Sequence, residues 1–402
     1  MVLPSGSSGD DSQASFLVPT VHAISVVTVA VLPIFLLGAS AVQIMRALHF
    51  DEVLLGLAVA VFFAAGALCA VVAGHLSERL GSSRLMRAVA LLAALPMLAA
   101  GLAADNWVDL VLILIAAGMI NGMTQPPVNQ FLSESIPRSR QGVAFGIKQA
   151  AIPVATLLAG LSVPTLALTV GWRWAFIGGA ALAVVVGLRV PAGGPRPLRR
   201  GPHRKRPSQI RYRPLIVTAA GVALGAGAAN SMGAFLVSST VHIGVQNGTA
   251  GLLAAFGSAV AMASRVVVGV AGDRIRQRHL ELVAVMLLAG SVGYILLATG
   301  YAALLVPGVA IAFGAGWGWN GLFQFAVVNA HRKAPARASG VTQTGLYVGG
   351  VLGPLIFGLL AKDVSYEAAW VGAASAACLA ALGMMLGQRL LASGSLPISV
   401  DG

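Results

Sequence analysis

Long apolar runs dominate this sequence, and runs of this length are typical of a chain that crosses a membrane several times. Hydrophobic residues make up 57% of the 402 residues, and charged residues only 10%. A soluble domain usually carries about 25% charged residues. A run of about 20 apolar residues crosses a bilayer as one helix, and the chain has room for about a dozen such runs. The composition therefore predicts an all-α integral membrane protein.

Twelve apolar runs can be delimited, six on either side of one basic stretch. The predicted spans are 16–39, 53–74, 85–104, 107–131, 142–168, 172–190, 214–239, 249–271, 280–299, 301–329, 338–361 and 366–391. The stretch from Arg189 to Arg213 holds nine of the 26 Lys and Arg residues together with several Pro and Gly, which is typical of a solvated, irregular linker. The predicted organisation is a tail at 1–15, a six-helix bundle at 16–190, a linker at 191–213, a second six-helix bundle at 214–391 and a tail at 392–402.

Positive charges are distributed unequally between the two sets of loops. With twelve spans both termini lie on one face, and that face holds 21 Lys and Arg residues against three on the other. Because cytoplasmic loops carry the excess of positive charge, both termini and the linker are expected in the cytoplasm, in a multi-pass protein of the cell membrane. The net charge of +13 lies in loops between apolar runs. We therefore expect lipid head groups, and no nucleic acid, as its partners.

Two loop sequences repeat between the halves of the chain. After the second span the chain reads GHLSERLGSSR from Gly74, and after the eighth it reads GVAGDRIRQR from Gly269. The fourth and tenth spans each carry an Asn-Gly pair, at Asn121 and Asn320. Such repetition in a helical membrane protein suggests a carrier in which two pseudo-symmetric bundles surround a central site.

These loops resemble the signature of the major facilitator superfamily, and the resemblance covers essentially the whole chain. The signature is Gly-x-x-x-Asp-Arg-x-Gly-x-x-Arg, with Glu78 in the Asp position, and the second copy keeps Asp273-Arg274 but lacks the later Gly. The fifth span is similar to the Gly- and Pro-rich fifth helix of that superfamily. More narrowly, Ile-Lys-Gln in this span and Arg265 resemble the cyanate/nitroimidazole-type branch. The resemblance implies alternating-access transport and does not specify the solute.

The repeated loops also have a physical reading as a gate. Gly74 and Gly81 permit a tight turn and close helix approach, and Glu78 and Arg79 can pair across helix ends. The alternative is that these are solvated charges that contribute little. The predicted gate residues are Gly74, Glu78, Arg79, Gly81, Arg84, Gly269, Asp273 and Arg274.

Two cations lie inside predicted spans, where charge is costly and usually functional. Lys148 and Arg265 are each roughly 9–12 Å from the cytoplasmic boundary at 1.5 Å per residue, one in each half. No Asp or Glu lies deep in any span. Two uncompensated cations facing one cavity suit an anionic solute, because Arg can bind a carboxylate through two hydrogen bonds. The alternative is that both side chains extend to the inner surface.

Other polar residues give weaker signals. The polar residues of the fourth span lie beside a helix break expected at Pro126-Pro127. Asn and Gln within spans can line a cavity, but they also bond neighbouring helices. His22 lies inside the first span and could carry a proton, although a packed histidine is the simpler interpretation. The remaining predicted substrate-binding residues are Asn121, Gln149, Asn320, Gln324 and Tyr347.

Together these features predict a secondary active transporter that moves a small organic anion by alternating access, as a monomer. Proton-coupled uptake, a symport, is slightly favoured over anion exchange. An efflux carrier for drugs or metabolites is the alternative. The acidic and His residues are scattered, no phosphate-binding Gly-Lys-Ser/Thr loop occurs, and Cys69 and Cys378 have no metal-ligand spacing. An enzyme is therefore not expected, nor is a cofactor. The two-half repeat argues against a channel.

Overall fold

The structure is a computed structural model that describes residues 9–193, 212–274, 278–330 and 335–392, and these residues form helices and no strand. Most of the predicted linker, at 194–211, lies outside the described residues, as do residues 1–8 and 393–402. Side chains at 9–15 are also not described. The all-helical prediction is confirmed for the part of the chain that can be seen.

The described residues of the first half form ten α-helices and one π-helical segment. They are α1 (Gly9–Ala39), α2 (Ala41–Leu48), α3 (Glu52–Leu80), α4 (Ser82–Leu92), α5 (Ala94–Ala103), α6 (Trp107–Gly122), α7 (Gln125–Ser135), α8 (Arg138–Lys148), α9 (Ala151–Ser162), the π-helical segment (Val163–Gly171) and α10 (Trp172–Arg189). The second half contains α11 (Tyr212–His242), α12 (Asn247–Arg274), α13 (His279–Ala298), α14 (Ala302–Gly314), α15 (Asn320–Ala330), α16 (Pro335–Asp363) and α17 (Tyr366–Ala392).

Ten segments of the described chain are long and apolar enough to cross a membrane. One of them, Val143–Arg189, has 47 residues, about twice what one crossing needs. The 13-residue helix α14 is also apolar but too short to cross alone.

The long segment turns back on itself at Gly171. This residue has φ of 107°, in the region that favours glycine. The Cδ1 atom of Leu166 lies 3.7 Å from the point that a Cβ would occupy on Gly178. In one continuous helix two residues so far apart in sequence would be separated by about 18 Å. Val143–Arg189 therefore comprises two antiparallel passes, in agreement with the predicted spans 142–168 and 172–190.

Three passes are interrupted at the same level of the protein. Breaks separate α6 from α7, α8 from α9, and α14 from α15. The first precedes Pro126-Pro127 and the second precedes Pro153, residues without a backbone N–H. At the second break the N–H groups of Gln149 and Ala150 reach back only three residues, to Gly146 O and Ile147 O, at 3.1 and 2.9 Å. The sequence predicted the break at Pro126-Pro127 but treated the fifth span as unbroken.

The predicted gate segments are largely helical where the structure describes them. Helix α3 continues to Leu80 and helix α12 to Arg274, beyond the predicted span ends at 74 and 271. The prediction that the two acid-Arg pairs lie in loops was wrong, because the predicted span ends followed the apolar pattern. Charged residues can stay helical beyond the apolar run, and α3 ends at Gly81, whose φ of 86° does not fit a helix. Residues 275–277 of the second segment lie outside the described residues.

Small residues bring helices of the two halves into contact. A Cβ on Gly38 would lie 2.4 Å from Gly233 O, and one on Gly56 would lie 2.4 Å from Pro354 O. A Cβ on Gly160 would lie 2.6 Å from the carbonyl oxygen of Gly251. Helix α1 thus packs against α11, α3 against α16, and α9 against α12, at distances that only glycine permits.

Candidate functional site

Lys148 ends helix α8 and is buried, with 4% of its surface exposed. Its Nζ donates hydrogen bonds to Gln125 Oε1 at 2.9 Å and Asn129 Oδ1 at 2.8 Å, both on α7. The ring centroid of Phe145 lies 5.8 Å from the same nitrogen. The ammonium therefore has neutral oxygen partners inside the protein and does not extend to the surface.

Arg265 lies on α12 and reaches across to the other half of the chain. One terminal nitrogen, Nη1, donates to the backbone oxygen of Gln149, and Nη2 donates to that of Trp317 at 3.3 Å. Its Nε is buried and has no partner among the described residues. Because Gln149 directly follows Lys148, the structure brings the two predicted cations to the same break between α8 and α9.

The acceptors of Arg265 are carbonyl oxygens at interrupted helices. Within a helix, the N–H of residue i+4 bonds the carbonyl of residue i. Pro153 occupies that position for Gln149 and has no N–H to give. Trp317 lies in the break between α14 and α15, where its ring packs against Phe35 with centroids 5.7 Å apart. Sequence analysis missed these carbonyls, although the four-residue spacing from Gln149 to Pro153 was visible.

The charge of this site is not balanced by acids in the described part of the chain. The ion pairs seen there are Arg173–Asp105, Arg278–Glu281 and Lys362–Asp51, and none includes Lys148 or Arg265. A buried cation without a counter-ion is costly even when neutral oxygens solvate it. The arrangement is therefore suited to receive negative charge.

The other predicted binding residues differ in how far the structure places them at this site. Asn121 and Asn320 are buried, and Asn320 Oδ1 has no partner among the described residues. Gln149 contributes its backbone oxygen, while its side chain and that of Gln324 are half-buried. Tyr347 lies between α16 and α3, its Cε1 3.4 Å from the Cβ position of Gly66. The hydrogen bonds seen in the described chain do not join these five side chains to either cation.

His22 is half-buried on α1, and its Nδ1 is buried without a partner among the described atoms.

The predicted gate is only partly visible. Gly81 has φ of 86° between α3 and α4, a conformation that favours glycine, and Arg79 and Arg84 are exposed. Gly74 and Gly269 are helical positions in α3 and α12. The side chains of Glu78, Asp273 and Arg274 lie outside those that the structure describes.

A carboxylate that the sequence analysis did not single out joins three helices near this gate. Glu134 on α7 accepts hydrogen bonds from Ser82 Oγ and Gln130 Nε2, each at 2.7 Å. Gln130 Oε1 in turn accepts from Ser77 Oγ on α3, at 2.7 Å. This network ties α3, α4 and α7 together at the end of the first half where α10 runs into the linker.

The halves are held together on the face opposite the linker. Lys362 Nζ lies 2.8 Å from Asp51 Oδ2, and the Tyr366 hydroxyl donates to Glu52 Oε1 at 3.2 Å. Burial alone would raise the pKa of Asp51, but hydrogen bonds from Lys362 and from the backbone N–H of Leu54 hold this pKa below its usual value. Deeper between the halves, the void lined by Phe35, Thr156, Met232 and Phe313 measures only about 10 Å³.

Three glycines near the two cations have free space at their Cβ positions. A Cβ added to Gly146, Gly321 or Gly340 would meet nothing within 4 Å. These glycines lie on α8, α15 and α16, next to the interrupted helices. On the same side of the site, α8 of the first half contacts α15 of the second half.

Comparison with known proteins identifies the family. A family model described as the Major Facilitator Superfamily matches residues 23–354. The chain belongs to this superfamily. The predicted class, a multi-pass membrane transporter, is confirmed with it, whereas the narrower branch is not supported by any match.

Two solved structures show how closely this superfamily member follows a known fold. Both are of a bacterial homologue of the human lysosomal transporter Spinster, in inward-facing unoccupied and occupied conformations. The unoccupied structure is 15% identical, covers 96% of this chain and 97% of the other, and has a TM-score of 0.69. The occupied structure is 18% identical, covers 97% and 98%, and also has a TM-score of 0.69. At these identities the likeness shows the fold alone. No curated protein sequence matches the chain significantly.

Proposed function

We propose that this superfamily member carries a small organic anion across the cell membrane by alternating access. The observation that carries the proposal is the meeting of Lys148 and Arg265 at one helix break with only neutral oxygen partners visible. Desolvated cations are stabilised by an anion that bonds them directly. A carboxylate can take two parallel hydrogen bonds from the guanidinium and a third from the ammonium.

The proposed topology has twelve passes, in bundles at 16–190 and 214–391 related by a pseudo-two-fold axis along the membrane normal. The reversal at Gly171 and the pairing of α14 with α15 into one pass support this count. Such an axis would also exchange the α3–α16 contact with the α9–α12 contact, because α3 and α12 carry the two copies of the repeated sequence. Linker, tails and gate would then lie in the cytoplasm. Labelling of a cysteine at position 203 from outside the cell would contradict this orientation.

The cavity wall is proposed to include Asn121, Gln149, Asn320, Gln324 and Tyr347. Asn320 offers a buried oxygen without a visible partner, which can accept a hydrogen bond from a solute hydroxyl or ammonium group. A buried acceptor left unpaired is costly. A solute that carries a hydrogen-bond donor as well as a carboxylate would therefore be preferred over one without a donor.

The gate residues are proposed to hold one state of the transport cycle. Glu78 and Asp273 occupy equivalent helix ends of the two halves. We expect Glu78→Ala or Asp273→Ala to slow exchange between states and to leave solute affinity unchanged. Normal turnover in both variants at normal expression would contradict a gate.

Proton-coupled uptake is the proposed energy source. The interior-negative potential opposes anion entry by about 2.3 kcal/mol per charge per 100 mV, so accumulation requires a coupled cation or exchange for an internal anion. Uptake into vesicles should rise when an inward proton gradient is imposed. Uptake that ignores the gradient and instead requires internal anion would establish exchange. A place in the cyanate/nitroimidazole-type branch remains a proposal from the resemblance of the fifth span and Arg265.

A thermal-shift screen of the purified protein tests the solute class. Succinate or benzoate should stabilise the wild type more than inorganic phosphate does, and Arg265→Ala should abolish this stabilisation. Arg173→Ala is the matched control, because Arg173 bonds Asp105 and the Ala104 carbonyl on the opposite face. Export of drugs or metabolites is the alternative function. A best ligand that is cationic, or one that stabilises Arg265→Ala as much as the wild type, would favour it.

A further inference from the structure

Arg265 does more than present a charge, because its hydrogen bonds bridge the two halves. Its Nη1 bonds Gln149 O in the first half, and its Nη2 bonds Trp317 O in its own half. Two helical turns nearer the opposite face, Ser258 Oγ donates to Thr156 Oγ1 at 2.7 Å across the same α9–α12 interface. Beyond Gln149 the first half continues as α8, which contacts α15 of the second half. The Arg265 bond thus joins the halves at the linker-side end of the α9–α12 interface.

The acceptor for this bond depends on one proline. With any other residue at position 153, a backbone N–H could bond the Gln149 carbonyl and continue the helix. Pro153 removes that donor, and the break at Gln149 and Ala150 turns the carbonyl toward α12. Pro153 does not contact Arg265 through any hydrogen bond, so its role would be to position the acceptor.

We propose that Arg265 is a clamp between the halves in the solute-free protein, that Pro153 positions its acceptor, and that a solute anion competes with the Gln149 carbonyl for the guanidinium. The competition rests on the anion-carrier function proposed above, whereas the clamp itself does not. A carboxylate that binds end-on takes one N–H from each of Nη1 and Nη2, the two nitrogens that hold the carbonyls. A carboxylate adds the attraction of its negative charge, which a neutral carbonyl does not supply, so the anion would displace the carbonyls.

The buried Nε of Arg265 supports this inference. A guanidinium has five N–H donors, and the Nε donor has no partner among the described residues. The protein therefore leaves the donors of Arg265 unsaturated, as a group that must exchange partners would be. Because the anion would favour the unclamped state, its binding would shift the population toward separation of α9 from α12.

Distance measurements on the full-length protein in nanodiscs test the clamp without any solute. Spin labels at Leu80→Cys and Arg278→Cys, with Cys69 and Cys378 replaced by Ser, report the separation of the halves on the linker face. Pro153→Ala and Arg265→Ala should each raise the ratio of wide to narrow separations by at least about tenfold, as expected for loss of a hydrogen bond to a charged group. Arg265→Lys keeps the charge but has one terminal nitrogen in place of two, so it should give an intermediate shift.

Pro307→Ala is the matched control, because Pro307 also lies inside a helix, α14, but is remote from the clamp. It should leave the distances unchanged. If Pro153→Ala and Arg265→Ala both give the wild-type distribution, the clamp is refuted. Refutation would follow equally if Pro307→Ala gave the same shift as Pro153→Ala, since general helix damage would then explain both.

Addition of succinate, benzoate or inorganic phosphate tests the competition. An anion that binds should widen the distances between the labels in the wild type but should not widen them further in Pro153→Ala. It should also bind Pro153→Ala more tightly than the wild type. A merely structural role for Pro153 would instead weaken binding. Variants that shift the distances while no anion binds would retain the clamp and reject the anion function. Anions that bind and widen wild type and Pro153→Ala alike would retain the function and reject the clamp.

Discussion

Replacing Tyr366 by Phe removes one hydrogen bond that joins the halves on the face opposite the linker. The hydroxyl donates to Glu52 Oε1 at 3.2 Å, and the ring is buried with its centroid 5.0 Å from that of His242. Phe keeps the ring contacts and loses the hydroxyl, which also interacts with Ser238 of its own half. A hydrogen bond to a charged group contributes about 1.5–3 kcal/mol. Glu52 is half-buried and can regain water, so we expect about 1 kcal/mol, which is roughly a fivefold change in the equilibrium between closed and open states.

A cysteine placed behind the closed face measures this change. Ala39 is buried and borders the small void that residues of both halves line. In a Cys69→Ser, Cys378→Ser background, Ala39→Cys should react with a membrane-impermeant maleimide about five times faster when Tyr366 is Phe. The matched control is Tyr301→Phe, because Tyr301 is exposed on the same face. If Tyr366→Phe labels at the wild-type rate, or Tyr301→Phe labels equally fast, this hydrogen bond does not hold the face closed.

Three further predictions follow from the described contacts. Lys148→Ala should nearly abolish uptake, whereas Lys148→Arg should keep partial activity, because the charge survives but the geometry changes; equal uptake by both variants would contradict this. Closure of the opposite face should weaken at acid outer pH, because its partners lower the pKa of Asp51. The contribution of the Asp51 carboxylate to closure is present above the ordinary Asp pKa and is lost as the pH falls through the lowered pKa. The rate of maleimide labelling, relative to that of the Asp51→Asn variant at the same pH, should therefore rise as the pH falls. Gly38→Val should destabilise the protein by about 1–3 kcal/mol, because a Cβ there meets Gly233 O, whereas Gly321→Ala, which meets nothing within 4 Å, should leave thermal stability near that of the wild type.

Much of the architecture could be predicted because it follows from local composition. Apolar run length and the repeated Gly-x-x-x-acid-Arg sequence lead directly to a helical carrier, and the family match confirms that class. Pro126-Pro127 correctly marked one helix break. The charged ends of α3 and α12 were misplaced as loops, since hydropathy reports where a bilayer ends and not where a helix ends.

The partners of the site residues could not be predicted, because they depend on how distant helices approach. Arg265 and Gln149 are far apart in sequence. Their bond uses a backbone oxygen, which every residue has, so the residue type does not indicate it. The pairing of Asp51 with Lys362 could not be predicted for the same reason. In the sequence each is a charge next to a span end, and they become partners only because the two halves pack together. Lys148 could be recognised in the sequence as a cation within a span, but only the fold shows that Gln125 and Asn129 are its partners.

The glycine contacts between the halves have a consequence for hydration. When α1 leaves α11 and α3 leaves α16, the surfaces uncovered include the backbone oxygens of Gly233 and Pro354, which now face Gly38 and Gly56. A carbonyl oxygen in a helix keeps a second lone pair that can accept from water. The cleft that opens would thus be wetted along its length and would exclude lipid chains. Opening should consequently take up water, and osmolytes that are excluded from the cleft should slow it.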